Sequence, residues 1–314
     1  FSNILQMSVL TLFACPKPFF GHDAIIQYNA LDNWKVLGLP VILVGDDAGV
    51  SGAAKKYGYG YIPNIARTPL GTPLLSDIFS KAQTVAKTPL VGYVNADIIF
   101  SESLLSAAAL AQEKFTFFLM TGQRWDVDIA ERIEFSGDWD AKLEAIRKNH
   151  GVLHGRYAMD YFIFPRGMVE MPHFAIGRPT WDNWLICSVL HGRGDVIDAT
   201  EAICALHQNH EYAHVPGRVT KNWEMSPEAL ENRELAKALF PKKNYLHETI
   251  KVAHWILTDR LVFKYNRLRW ARKMYYSRAM KFLFAILKSV FLAGFGEKRY
   301  SEVKSKFHSI FGKI

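Results

Sequence analysis

The chain has 314 residues, of which 49% are hydrophobic and 22% charged, the composition of a globular protein with a sizeable core. Cys15, Cys187 and Cys204 are widely spaced and form no Cys-x-x-Cys pair, which argues against a disulfide framework or a thiolate metal site and favours a reducing compartment, the cytoplasm. Because the first residue is Phe1 rather than Met, we expect the chain to be a segment of a longer protein.

The net charge of +8 is concentrated towards the C-terminal end of the chain. Residues 260–314 contain fourteen Lys or Arg and two acidic residues, so this segment carries +12 and the remainder of the chain −4. A nucleic-acid enzyme is expected to carry its basic residues around its cleft. The distribution therefore argues against a nucleic-acid partner and assigns the basic charge to a tail.

The first part of the chain alternates between predicted strands and predicted helices. Apolar runs closed by turn residues predict the strands, and apolar residues three or four positions apart predict the helices. The strands are predicted at residues 7–14, 41–47, 61–65, 90–100 and 115–121, and the helices at residues 22–37, 50–57, 74–86 and 103–114. Strand, helix and strand at this spacing predict parallel pairing.

The stretch 90–100 is the one around which we expect the chain to be organised. Its apolar run reaches Asn95-Ala96-Asp97, and Ser101 is a good N-cap for the helix that follows. The stretch therefore predicts a buried strand that delivers a carboxylate to a sheet edge, where open α/β sheets bind ligands. Asn and Asp also cluster in ordinary turns, so a plain loop is the alternative.

A pair of carboxylates, Asp46 and Asp47, ends the predicted strand 41–47. Arg67 lies in the loop that leads to the predicted helix 74–86. The free N–H groups of a helix start and a guanidinium both favour phosphate, so this loop is a candidate anion site. The alternative is that Arg67 pairs with a surface carboxylate.

The predicted elements of the second part of the chain begin with a charged helix at residues 131–149, which we interpret as an insertion against the cleft. Arg124 follows the strand 115–121, and Asp160 begins the next predicted strand, residues 159–167. Both are candidate contacts for a bound substrate.

Asp182 lies at the start of a predicted helix, residues 184–190, between Trp181 and Trp184. The simpler interpretation is a helix cap supplied by Thr180 or Asp182, worth about 1 kcal/mol. The alternative is a catalytic base in a partly dry cleft whose tryptophan walls suit the face of a sugar.

Three histidines, His207, His210 and His214, follow an apolar run within eight residues. Neutral imidazole is a common ligand of transition metals. The spacing is not that of a self-contained zinc site, so we expect a histidine to join Asp97 on a divalent cation. Polar loop histidines without a ligand are the alternative.

Together these motifs resemble the nucleotide-sugar glycosyltransferases of the GT-A fold, over roughly residues 8–225. The resemblance rests on Val-Gly-Asp-Asp at 44–47, Asn-Ala-Asp at 95–97, Trp-Asp-Asn-Trp at 181–184 and His-Gln-Asn-His at 207–210. It implies an α/β fold with a mainly parallel sheet flanked by helices, a nucleotide-sugar donor, most simply a UDP-sugar, and a divalent Mn²⁺ or Mg²⁺.

The resemblance also implies roles for individual residues. Asp97 and either His207 or His210 would bind the metal, and Asp182 would be the base of an inverting transfer. The remaining site residues divide between the donor and the sugar or acceptor. The donor contacts are Asp46, Asp47, Arg67, Asn95 and Asp97, and the sugar or acceptor contacts are Trp181, Trp184, Arg124 and Asp160.

Asn95 departs from the family pattern, which has Asp at this position. An Asn oxygen can bind a ribose hydroxyl or a metal but lacks one charge, so metal binding would be weaker, or absent. A sugar nucleotidyltransferase of the same fold is one alternative, although residues 14–18 lack the Gly-rich phosphate loop that it requires. A non-catalytic protein that binds membranes or nucleic acid is another, although it leaves the carboxylate and histidine pattern unexplained.

We predict a catalytic domain at residues 1–245 and a basic amphipathic helical tail at residues 246–314. The longest apolar stretch of the tail, residues 282–293, contains Lys288 and is only twelve residues long, whereas a membrane-spanning helix needs about 20. Aromatic residues interleaved with cations suit the surface of an anionic membrane, so we expect peripheral contact and a glycan or lipid-linked acceptor. Packing of the tail on the catalytic domain is the alternative.

Overall fold

A computed structural model describes residues 8–157, 159–210, 225–240, 249–258 and 261–263. The strands are β1 (Leu10–Ala14), β2 (Val41–Val44), β3 (Gly60–Ile62), β4 (Leu90–Val94), β5 (Ile98–Phe100), β6 (Phe118–Thr121), β7 (Trp125–Val127), β8 (Val152–Leu153), β9 (Tyr161–Pro165), β10 (Asp195–Asp198), β11 (Ala205–Gln208), β12 (Trp255–Leu257) and β13 (Leu261–Phe263). The helices are α1 (Gly21–Val36), α2 (Val50–Tyr57), α3 (Leu75–Val85), α4 (Ser103–Lys114), α5 (Trp139–His150), α6 (Trp181–His191) and α7 (Pro227–Leu239).

The central sheet has nine strands in the order β13-β12-β10-β6-β9-β4-β1-β2-β3. Only β9 and β13 run antiparallel to their neighbours within the described part of this sheet, so the predicted mainly parallel sheet is confirmed. The C-terminal ends of β1, β2, β4 and β6 therefore meet at one edge. Because β9 is antiparallel to β4, its first residues lie at that same edge.

The predicted strand 90–100 is wrong in its length, because it is two strands with a turn between them. The Ile98 N–H donates to the Asn95 carbonyl at 3.2 Å and closes this turn. After it, β5 leaves the central sheet and joins a four-stranded sheet in the order β5-β11-β7-β8. The turn residues Asn95 and Asp97 thus lie where the two sheets meet.

Helices cover both faces of the central sheet. Side chains of α1, α2 and α4 pack on the face to which Leu10 and Leu12 of β1 point. Side chains of α3, α6 and α7 pack on the opposite face, with Phe13. This alternation along β1 is the two-residue period of a strand buried on both sides.

The predicted bounds of α2 and α4 agree with the structure, whereas two later helices differ. The helix predicted at 131–149 begins at Trp139, because Gly137 has φ +59 and breaks the helical backbone just before it. The helix predicted at 184–190 begins at Trp181, because the Thr180 carbonyl accepts from the Trp184 N–H at 2.9 Å. Asp182 therefore lies in the first turn rather than before it.

The central sheet continues past residue 245, where we placed the end of the catalytic domain. β12 pairs in parallel with β10, and β13 pairs with β12. One compact unit spans Phe1–Lys264. Most of the predicted tail, and with it the predicted membrane contact, lies outside the described residues. Within the described ranges, no helix has the length and apolar content needed to cross a membrane.

Candidate metal centre and active site

The structure brings together the three residues predicted as metal ligands, Asp97, His207 and His210. One ligand atom of each lies within 4.8 Å of the others. The Oδ2 atom of Asp97 is 3.1 Å from Nε2 of His210 and 3.7 Å from Nε2 of His207. A carboxylate oxygen and two imidazole nitrogens that converge in this way can hold a divalent cation.

The four-stranded sheet, called the small sheet below, explains why Asp97 meets His207 and His210 although more than a hundred positions separate Asp97 from the two histidines. β11 pairs antiparallel with β5, and this places His207 opposite Ile98, the residue after Asp97. The Gln208 N–H also donates to the Asp97 carbonyl at 3.3 Å. His207 is thereby held against the turn that carries Asp97.

The electrostatics of Asp97 fit a cation-binding role. Burial by itself raises the pKa of Asp97, but His207, His210 and Lys17 outweigh it, so the pKa lies well below its usual range. Its Oδ1 atom is buried and has no hydrogen-bond partner among the residues that the structure describes. An unsatisfied buried carboxylate oxygen is costly, and a bound cation would satisfy it. The residues present therefore fit a divalent metal.

Asp126 of β7 supports His207 from the side away from Asp97. Its Oδ1 atom lies 3.2 Å from Nδ1 of His207, and its Oδ2 atom lies 2.5 Å from Nδ1 of His154. Burial raises the pKa of Asp126, but the neighbouring imidazoles of His207 and His154 and the charge of Arg124 lower it by more. Metal-binding histidines are commonly oriented by such a carboxylate on the second ring nitrogen.

Asp126 and His154 are not among the site residues that the sequence predicts. Asp126 belongs to a short strand after β6, and β11 pairs with it so that His207 lies beside Asp126. This pairing joins residues eighty positions apart, so no local pattern reveals it. The only local signal is the alternation of Asp126 and Asp128, which a strand places on one face.

Arg124, Asp160 and Asn95 form a hydrogen-bonded chain beneath the site. Nη1 of Arg124 donates to Asp160 Oδ2 at 2.5 Å, and Nδ2 of Asn95 donates to Asp160 Oδ1 at 2.6 Å. The hydroxyl of Tyr93 donates to Oδ1 of Asn95 at 2.9 Å. Both ends of the Asn95 amide are thus engaged within the protein, and Arg124 and Asp160 are largely buried.

Trp181 and Trp184 are each 7% exposed. Trp181 makes edge contacts with Tyr93 and Phe162, with ring centroids 5.4 and 5.2 Å apart. Trp184 packs on Phe174 with a centroid distance of 5.5 Å. Most of each ring is therefore covered by protein, so neither ring offers an open face to a sugar.

Asp182, between the two tryptophans, is the candidate base. Desolvation raises its pKa to about 6, and the charge of Asp160 adds to the rise. Its Oδ1 atom accepts from the N–H of Asn183 at 2.9 Å. Thr180, just before the helix, has φ +98, a strained backbone for a residue with a β-carbon, and its side chain makes no capping bond.

Asp46, Asp47 and Arg67 also come together, at the end of β2. Nη2 of Arg67 lies 2.5 Å from Asp46 Oδ1 and 3.1 Å from Asp47 Oδ2. Gly45, with φ +114, turns the chain into this pair of carboxylates. Two carboxylates and one guanidinium leave the cluster with a net charge of −1, which suits hydroxyl or N–H donors better than phosphate.

Hydrogen bonds attach the loop that carries Arg67 to α7. Thr68 Oγ1 donates to Glu228 Oε1 at 2.5 Å, and Nε of Arg178 donates to Glu228 Oε2 at 2.8 Å. Glu228 is buried, so these bonds are shielded from water. Glu228 is not among the predicted site residues. It joins the loop before α3 to the segment before Asp182.

The chain can be compared with known proteins by sequence and by structure. No protein-family model matches the sequence, and no curated protein matches it by sequence. A solved structure of GalNAc-T7 with UDP, GalNAc and Mn²⁺ superposes with a TM-score of 0.50 and 11% identity, covering 76% of this chain and 49% of that one. The chain has the GT-A fold. The predicted fold class is confirmed, and the chain matches about half the length of GalNAc-T7.

Two further solved structures are similar at lower scores. A mannosyltransferase from Pyrobaculum calidifontis in complex with GDP-Man and Mn²⁺ has a TM-score of 0.46 and 12% identity, covering 98% of this chain and 88% of that one. Glucosyl-3-phosphoglycerate synthase from Mycobacterium tuberculosis with Mg²⁺ and UDP has a TM-score of 0.44 and 12% identity, covering 73% and 79%.

Proposed function

We propose that this chain is a nucleotide-sugar glycosyltransferase that moves a sugar from a nucleoside-diphosphate donor, a UDP-sugar, to an acceptor hydroxyl with the help of Mn²⁺ or Mg²⁺. The observation that carries the proposal is the convergence of Asp97, His207 and His210 at the edge of a GT-A sheet. The unsatisfied Oδ1 atom of Asp97 supports a metal there. GalNAc-T7, which shares the fold, was solved with UDP, GalNAc and Mn²⁺.

In the proposed reaction, the acceptor oxygen bonds to the anomeric carbon while the bond from that carbon to the diphosphate breaks with its electron pair. Asp182 takes the proton of the acceptor hydroxyl. Its pKa of about 6 leaves it ionised at neutral pH yet more basic than an exposed carboxylate. A metal held by Asp97, His207 and His210 would supply positive charge to the departing diphosphate. We propose a single displacement that inverts the configuration of the anomeric carbon, with Asp182 as its base.

Asp46 and Asp47 are proposed to accept hydrogen bonds from the ribose or base of the donor, with Arg67 holding both carboxylates in place. The support is their arrangement at the end of β2, beside β1, on the ligand-binding edge of the sheet. Asn95 is proposed to contribute to donor binding by holding the turn that carries Asp97. Its side-chain bond to Asp160 supports the turn that positions Asp97.

The acceptor is proposed to be a glycan or a lipid-linked sugar, in glycan or polysaccharide synthesis. Trp181, Trp184, Arg124 and Asp160 are proposed to shape the sugar side of the site, mainly by fixing Asp182 and the strand ends.

The basic tail is proposed to contact an anionic membrane, on the support of its charge and aromatic content alone. The fraction of protein that sediments with liposomes should then rise with the content of anionic lipid and fall with salt. Equal binding to neutral vesicles would contradict this proposal.

A binding screen tests the function. UDP, GDP and their sugar conjugates are each added with Mn²⁺, with Mg²⁺ or with EDTA, and the unfolding temperature and the heat of binding are measured. We expect one nucleotide family to stabilise the protein only when metal is present, by about 2.7 kcal/mol at a hundred times its dissociation constant. Failure of every nucleoside diphosphate to bind, with either metal, would reject the proposal.

Asp126→Asn is expected to weaken Mn²⁺ binding about 10- to 100-fold, because the amide no longer holds His207 as a carboxylate does. Calorimetric titration of Mn²⁺ measures the change. Asp138→Asn is the matched control, since Asp138 is an exposed carboxylate paired only with Lys142 among the contacts described, at 3.3 Å. Equal Mn²⁺ affinity in the two variants would show that Asp126 does not position His207.

A further inference from the structure

Lys17 lies next to the candidate metal centre, although no motif pointed to it. It follows β1, the strand that lies between β4 and β2 in the central sheet. Its Nζ atom is 3.5 Å from Nδ1 of His210. Its charge also contributes to the lowered pKa of Asp97. An ammonium group is therefore within reach of any anion that binds a metal at this centre.

The backbone of Lys17 is fixed by one buried side chain. The Lys17 N–H donates to Oε1 of Gln27 at 2.7 Å, and Nε2 of Gln27 donates to the Lys17 carbonyl at 3.0 Å. Gln27 is 2% exposed. Pro16 and Pro18 restrict the backbone on either side. The residue is therefore held in place while its long side chain can turn.

The ionic partner of Lys17 holds it only weakly. Nζ lies 3.3 Å from Oδ1 of Asp23, and the two side chains are 28% and 31% exposed. Ion pairs with this much solvent contact contribute little to stability. Arg67, by contrast, is already paired with Asp46 and Asp47. Lys17 is thus the better placed of the two cations for meeting a phosphate.

The contact between Lys17 and His210 has a further consequence. An ammonium group only donates, so Nδ1 of His210 accepts, and the ring hydrogen then lies on Nε2, facing Asp97. A cation bound to Nε2 requires the hydrogen on Nδ1 instead. Two donors would then face each other, and the Lys17 side chain must turn away from His210.

We propose that Lys17 binds the diphosphate of the donor and stabilises it as it leaves. This inference rests on the proposed function and names the residue that recognises the phosphate. The released nucleoside diphosphate carries about one more negative charge than its sugar ester. The Lys17 ammonium, held beside the candidate metal centre, would offset that added charge, and it could turn from His210 towards the phosphate.

The test compares UDP with UMP, in saturating Mn²⁺, on the wild-type chain and on Lys17→Met, with GDP and GMP in parallel. Loss of one charged hydrogen bond is expected to weaken UDP binding about tenfold or more. UMP binding should change less, so that the preference for UDP over UMP falls. Binding of Mn²⁺ alone should be kept or tightened, because the variant removes a cation beside the centre, and this separates loss of a phosphate contact from damage to His210.

Two further variants act as controls. Lys142→Met removes another lysine whose Nζ lies 3.3 Å from an aspartate, Asp138, and should leave UDP binding unchanged. Asp23→Asn removes the weak partner of Lys17 and should preserve or tighten UDP binding. If Lys17 served only the pair with Asp23, both Lys17→Met and Asp23→Asn would lower the unfolding temperature alike and neither would alter UDP affinity.

The outcomes separate the two proposals. Wild-type binding of UDP or GDP together with an unchanged UDP-to-UMP preference in Lys17→Met would overturn the role of Lys17 and leave the proposed function standing. If the wild-type chain bound no nucleoside diphosphate with Mn²⁺, the proposed function would fail, and the inference about Lys17 would fail with it.

Discussion

Asp97→Asn is expected to weaken Mn²⁺ binding by about two orders of magnitude and to abolish the metal dependence of UDP binding. Asp97 is the one anionic member of the ligand group, because its two partners are imidazoles. The substitution keeps the shape of the side chain but removes its charge. Calorimetry of Mn²⁺, with and without UDP, measures both effects, and the spin resonance signal of free Mn²⁺ gives an independent measure of metal binding.

The control for Asp97→Asn is Asp138→Asn, which removes an exposed carboxylate from α5. It should bind Mn²⁺ and UDP as the wild type does. The unfolding temperature of both variants should be recorded, because a loss of binding is informative only in a folded protein. An Asp97→Asn protein that still bound UDP in a fully Mn²⁺-dependent way would place the metal away from this turn.

The part of the site that the sequence predicts is the part delivered by strand ends. Asp46, Asp47 and Asp97 each follow an apolar run, and parallel strands bring such ends to one edge. The density of histidines predicted that one of them joins Asp97, and the resemblance to the GT-A family narrowed the choice to His207 or His210. Strand ends therefore predicted where the carboxylates lie, and the family pattern predicted which histidines lie with Asp97.

The small sheet could not be predicted from local pattern. β5, β7 and β8 have only two or three residues each, too few for a two-residue period to be distinguished from a turn. Yet β11 pairs with β5 and β7, and β8 pairs with β7, which places Asp126 beside His207 and brings His154 to Asp126. The residues around the candidate metal ligands are thus brought together by long-range strand pairing rather than by any motif.

For the two tryptophans, the sequence predicts the position of the ring in the fold but not its role. Trp181 and Trp184 flank the candidate base, and aromatic residues at such a place can line a sugar site. They also have large apolar surfaces, and in the structure these surfaces pack on Tyr93, Phe162 and Phe174. Sequence position alone does not distinguish a ring that packs in the core from one that faces a ligand.

Asp182→Asn is expected to lower the turnover rate by about 10²- to 10⁴-fold, the usual contribution of a general base. The asparagine keeps the shape of the side chain and an oxygen to accept from the Asn183 N–H. UDP binding in the presence of Mn²⁺ should therefore be unchanged. For the wild type, turnover should rise as the pH passes about 6, because the carboxylate must be ionised to accept a proton.

The same residue should affect stability in a pH-dependent way. Desolvation raises the folded-state pKa of Asp182 from 3.8 to about 6, so the folded protein favours the protonated acid. The stability that this gives is complete below the unfolded-state pKa and is lost as the pH rises through about 6. A rise of this size corresponds to at most about 3 kcal/mol, reduced by the partial solvent contact of the side chain.

Asp182→Asn, which stays neutral, should therefore unfold at a higher temperature than the wild type at pH 8, and the difference should shrink towards pH 4. Thermal unfolding across this pH range, together with turnover and UDP affinity, distinguishes a base from a structural residue. A stabilised variant with little turnover and normal UDP binding is the result we expect. If Asp182→Asn turned over at the wild-type rate, the proton would have to pass to another group, and Asp182 would serve only the first turn of α6.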